Sequence, residues 1–73
     1  MERCLLDRGN RKALGLARRL RWPARPVGQE LVEIELPAYW REVIMTEAPA
    51  LARVVTPVFE RGLAQAAAVR ARE

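Results

Sequence analysis

The sequence predicts a mainly α-helical fold with one short β-strand and a basic N-terminal helix or arm. Three observations carry this. Apolar residues recur at helical spacing in three separate stretches, only residues 30–36 alternate at strand spacing, and positive charge is concentrated in the first 26 of 73 residues.

Asn10 is a suitable N-cap and Pro23 with Pro26 bars further helix, so a helix is expected over residues 11–21. At about 100° per residue, Ala13, Leu16, Ala17 and Leu20 fall on one side, and Arg11, Lys12, Gly15, Arg18, Arg19 and Trp22 gather on the other. Residues 22–29 hold two prolines and a glycine and read as a semi-extended linker. Val32, Ile34 and Leu36 then alternate with Leu31, Glu33 and Glu35, which predicts a strand with the first three on its buried side. A lone strand leaves its backbone groups unpaired. Residues 4–6 offer only a weak second strand, so pairing with the same strand of a second copy is expected.

Pro37 suits a first helical turn, and a helix over residues 38–48 would place Tyr39, Trp40, Val43, Ile44 and Ala48 on one broad face. Pro49 should end it, leaving residues 50–55 as a short continuation or turn. Thr56 and Pro57 read as the N-cap and N1 of a last helix reaching Arg72. In that helix Val58, Phe59, Gly62, Leu63, Ala66 and Val69 form a stripe opposite Arg61, Gln65 and Arg72. The expected organisation is a basic arm and Pro-rich linker over residues 1–26 and a strand-helix-helix module over 27–73. Its core and dimer contacts would come from Val32, Ile34, Leu36, Trp40, Val43, Ile44, Phe59 and Leu63.

Composition narrows the chemistry. There is no His and no Ser, Cys4 is the only Cys and Asp7 the only Asp. A thiol nucleophile needs a positioned base, and Cys4 has no imidazole to serve it. Zinc and related metals want several Cys or His ligands. The eight Glu fall where solvated faces are expected, and Gly9, Gly15, Gly28 and Gly62 are scattered singly, so no phosphate loop is present. The chain is therefore expected to be non-enzymatic, with no metal, no cofactor and no small-molecule substrate.

A core of this length supplies about 3 to 5 kcal/mol unaided, and a single Cys cannot close an internal disulfide. Oligomerisation, as a homodimer or with another protein, is the expected remedy. A lone Cys fits a reducing, cytoplasmic setting. No apolar stretch approaches the roughly 18 residues of a membrane span, and the N-terminus lacks the apolar core of a signal peptide, so no membrane association is expected. Arg outnumbers Lys twelve to one and Asn and Gln are scarce, which suits a thermophile or a GC-rich genome.

Charge asymmetry is the functional signal. Residues 1–26 hold eight cations against two acids, a net of +6, whereas residues 27–73 hold five against seven, a net of −2. A localised basic stretch is a footprint for phosphate or for an acidic protein surface.

A strand Leu-Val-Glu-Ile-Glu-Leu at 31–36, a Pro-led helix, and the run Thr-Pro-Val-Phe-Glu-Arg-Gly-Leu-Ala at 56–64 follow one another at intervals that resemble the ribbon-helix-helix family of dimeric DNA-binding proteins. That family includes bacterial repressors and many antitoxins. The resemblance covers roughly residues 30–70 and implies a ribbon-helix-helix-like homodimer acting in transcription regulation. It implies that two strands enter the major groove, with Leu31, Glu33 and Glu35 outward, and that Thr56 and the first amides of the last helix hold a phosphate. Nucleic-acid contacts are then expected from Arg11, Lys12, Arg18, Arg19, Arg21 and Thr56. A second reading takes the acidic strand face and the basic helix as docking surfaces of a protein-interaction module, a small inhibitor or assembly subunit without nucleic-acid binding. A third, a membrane-surface helix over residues 11–22, is weakened by an apolar face that is mostly Ala with few large residues.

Overall fold

In the computed structural model, which describes residues 1–72, the alternating segment Leu31–Leu36 is the middle strand of a three-stranded antiparallel sheet. The elements in chain order are β1 (Glu2–Asp7), α1 (Arg11–Arg19), β2 (Ala24–Val27), β3 (Leu31–Leu36), α2 (Trp40–Glu47) and α3 (Pro49–Ala71). The fold is α+β, and this corrects the expected class of a mainly helical chain with one strand. The correction extends to the ribbon. β3 is hydrogen-bonded on one side to β1, with Cys4 opposite Ile34, and on the other to β2, with Ala24 opposite the same residue. Both edges of β3 are satisfied within the chain, so its backbone needs no second copy to pair it.

β1 is hard to read because Cys4, Leu5 and Leu6 are all buried, which erases the two-residue period. Cys4 and Leu6 face the core with Ile34, whereas Leu5 points to the opposite face. It is nevertheless covered, because α3 runs along β1 and brings Ala66 and Val69 beside it. The two elements approach through Gly62, where an added Cβ would lie 2.8 Å from the Leu5 carbonyl oxygen and 2.7 Å from a Leu6 methyl.

The supposed linker supplies β2, an edge strand exposed along its whole length. Two prolines hid it from a propensity reading, but Pro26 suits this edge. The Glu35 N–H donates to the Pro23 carbonyl at 2.9 Å, so alternation down the ladder puts Pro26, opposite Val32, at a non-hydrogen-bonded position. Its ring takes the place of an N–H that would point outward, which blunts the edge against further strand pairing. The basic segment is thus tied into the sheet through β2 and β1 and is no loose arm.

α1 lies within the expected 11–21 span and buries Ala13, Leu16 and Ala17. It stops two residues early. The Trp22 N–H donates to the Ala17 carbonyl and the Arg21 N–H to the Arg18 carbonyl, the double bond of a Schellman turn, with Arg21 left-handed at φ 61. That turn swings Trp22 off the basic face, where helical continuation would have left it. Its ring meets Phe59 edge-on at 5.7 Å between centroids.

α3 departs most from expectation. Pro49 occupies its first turn, and the helix continues through Thr56 and Pro57 instead of starting there. An interior proline costs about 3 kcal/mol. What outweighs that cost is an unbroken buried stripe, Ala52, Val55, Phe59, Gly62 and Ala66, whose three- and four-residue spacing runs across Pro57. A helix restarted at Pro57 would give up the first two positions. Trp40, Phe59, Ile34, Leu36, Ile44, Val55 and Cys4 fill the centre of the core. Trp40 also meets Phe59 edge-on at 5.7 Å. Of the expected core residues, Val32, Val43 and Leu63 are only half-buried. Tyr39, expected on the buried face of α2, is 63% exposed.

Candidate nucleic-acid interface

α1 carries the concentrated charge. Arg11 and Arg18 are seven residues apart, as are Lys12 and Arg19, so each pair shares a helical azimuth about 10 Å apart along the axis. All four are exposed, and so is Arg21 in the turn that follows. Gly15 sits at the centre of this face, three and four residues from each of the four cations. A Cβ added there meets nothing within 4 Å, so no packing constraint requires glycine. Glycine in a helix interior costs about 1 kcal/mol relative to alanine. Glycine at such a place leaves the helix backbone open to close approach by another group.

The start of α1 adds to this. The Asn10 side chain makes no capping bond, the first turn holds no acid, and Arg11 and Lys12 stand at the positive end of the helix dipole. A 9-residue helix carrying a central glycine, no side-chain cap and cations at the wrong end is locally disfavoured in three ways. An anion bound to this face would offset the last two. Asp7, the nearby acid, is engaged in its own turn, its Oδ1 accepting from the Gly9 N–H at 2.8 Å. Arg8 is exposed in the same turn and extends the cationic surface.

Of the residues expected to contact nucleic acid, the structure brings Arg11, Lys12, Arg18, Arg19 and Arg21 together on and just beyond α1. Arg19 is partly occupied, donating to the Glu47 carbonyl of α2 at 3.2 Å. Thr56 is not among them. It is half-buried in the middle of α3, whose amides there are spent on the helix itself, so the expected phosphate clamp does not form. Gly15 and Arg8 were not among the residues expected to take part. A glycine at the hub of four cations on a helical projection was the available signal for the first.

The acidic strand face that would support a docking module is also reduced. Glu33 is 16% exposed and is held by Arg25, Nε to Oε1 at 2.9 Å. Burial pushes the Cys4 thiol up to about 12, so it stays protonated, donating weakly to the Phe59 carbonyl at 3.6 Å. It is a packing group and no nucleophile. Among the described residues no group of Cys, Asp and Glu is placed to hold a metal ion, and no helix is long and apolar enough to cross a membrane.

No family model matches the chain, and no curated protein or solved structure is significantly similar to it.

Proposed function

We propose that this protein is a small DNA-binding regulator that grips the phosphate backbone of duplex DNA with the exposed face of α1. The observation that carries the reading is the solvent-facing Gly15 ringed by Arg11, Lys12, Arg18 and Arg19. A flat, cationic patch on a helix lets a phosphate reach the backbone while side chains close around it, whereas a face meant only for solubility has no use for the glycine. The role is non-enzymatic and needs no cofactor. Phosphate contacts hold and orient; sequence preference would have to come from other side chains or from DNA shape.

The test is a titration of the full-length protein against duplex DNA across a range of salt. Log affinity should fall linearly with log salt. Replacing Arg11, Lys12 and Arg18 together with Gln should weaken binding to all sequences alike. It should also flatten the slope by about 0.9 for each phosphate that is no longer neutralised. Arg19 is left in place because its bond to Glu47 helps to seat α1 on α2. Absence of wild-type binding to duplex DNA at about 50 mM salt, or a triple variant that binds as the wild type does, overturns the proposal.

A further inference from the structure

Two grooves of opposite charge flank the C-terminal end of α1. One, of about 400 Å³, lies between α1 and the sheet, with Leu14, Ala17, Trp22, Val32 and Ile34 along it and Arg18 and Arg21 at its rim. The other, of about 430 Å³, lies between Leu20 and α2, where Tyr39 and Val43 are bordered by Glu42 and Glu47. Tyr39, 63% exposed, stands out from this second groove as a large ring with an adjacent carboxylate.

We infer that the two grooves are halves of one self-complementary interface, and that the chain forms a two-fold symmetric dimer by seating Tyr39 and Glu42 of each copy in the Arg21-rimmed groove of the other. A two-fold interface requires that a surface and its complement lie side by side on one protomer, so that both contacts form at once. They do so here, because Leu20 lines the acidic groove and the neighbouring Arg21 the basic one. The basic groove has an apolar floor, and its side-chain polar groups, the Arg18 and Arg21 guanidinium groups and the Trp22 indole N–H, are all donors, so it suits a ring flanked by a carboxylate.

Backbone conformation points the same way. Arg21 holds the left-handed position of a Schellman turn, where glycine is usual and a side chain is disfavoured. A residue kept against that preference is one whose side chain is used, and this side chain stands at the groove's rim. The inference does not rest on DNA binding. Arg18 belongs to both surfaces, whereas Lys12 lies about 12 Å along the helix from Leu20 and does not line the groove.

The experiment is sedimentation equilibrium on the full chain from micromolar to several hundred micromolar, with charge-reversal variants. The wild type should show a mass twice the 8.3 kDa of the chain. Arg21→Glu and Glu42→Arg should each weaken dimerisation at least tenfold, and the double variant Arg21→Glu/Glu42→Arg should recover most of that affinity. The recovery separates a broken ion pair from a misfolded chain. Arg11→Gln/Lys12→Gln should leave the dimer intact, so failure of the DNA reading is seen separately. A wild type that stays monomeric throughout overturns the inference, including one that instead captures an acidic peptide in the basic groove. A dimer that neither reversal weakens overturns it as well, since another surface must then hold the copies together.

Discussion

Gly62→Leu should fail to fold, and Gly62→Ala should lose about 2 kcal/mol of stability although alanine is the better helix former by about 1 kcal/mol. The site allows no compromise. α3 crosses β1 there, and a methyl at residue 62 would press on the Cys4 sulfur and stand 2.7 Å from a Leu6 methyl and 2.8 Å from the Leu5 carbonyl oxygen. The side chains could shift at the cost of their packing, but the carbonyl belongs to a strand fixed by its ladder to β3. The helix must therefore move away and uncover Ala66 and Phe59, or the strand must tear from the sheet. Urea unfolding followed by circular dichroism reads the loss, and a Gly62→Ala midpoint equal to or above that of the wild type would contradict the described packing of α3 on β1.

Ile34→Glu should leave the chain unfolded at 25 °C. Ile34 is fully buried at the centre of the middle strand, between Cys4 on β1 and Ala24 on β2, and the cations of the adjoining groove, Arg18 and Arg21, stand exposed at its rim. An unpaired carboxylate in such surroundings costs several kcal/mol, comparable to the entire stability of a chain this small. Ile34→Val removes one methylene and should cost about 1 kcal/mol with the fold retained, which keeps the position readable if the charged variant yields no soluble protein. A cooperative melt of Ile34→Glu within a few degrees of the wild type would mean that the core face of the sheet has been described backwards.

What was legible in the sequence was whatever had an undisturbed period. β3 alternates because one face is buried and the other partly exposed, and α1 shows its apolar stripe because the core, with α3, lies on one side of it and solvent on the other. β1 has no such period, since α3 covers Leu5 on the side where an exposed residue would have marked the alternation. β2 was hidden by Pro23 and Pro26, which look like linker residues until the register puts Pro26 on the outward side of an edge strand. With β2 missed and residues 4–6 read as only a weak strand, a second copy looked necessary to pair β3. Thr56 and Pro57 carry the local signature of a helix start. A buried stripe extending from Ala52 to Ala66 overrides that signature, and only tertiary packing reveals the stripe as continuous.

The candidate site divides the same way. Its cations could be read by projecting residues 11–19 on a helix, because charge and periodicity are both local. The meaning of Gly15 could not, since it depends on knowing that nothing packs against it. Gly15 and Gly62 are both glycines within helices, one facing open solvent and the other pressed against a strand, and residue type alone does not distinguish them.

The most direct test of the account is Gly15→Ala, measured for stability and for duplex DNA binding in the same buffer. Alanine meets no neighbour at this position and improves the helix, so thermal stability should rise by about 1 kcal/mol. If a phosphate lies against the backbone at this hub of cations, the added methyl pushes it outward, and affinity for duplex DNA should fall about tenfold, equivalent to roughly 1.4 kcal/mol, although the protein has become more stable. Stability and affinity moving in opposite directions is the predicted result. A stabilised variant that binds duplex DNA as tightly as the wild type would contradict the account, because the glycine would then have no part in holding the phosphate.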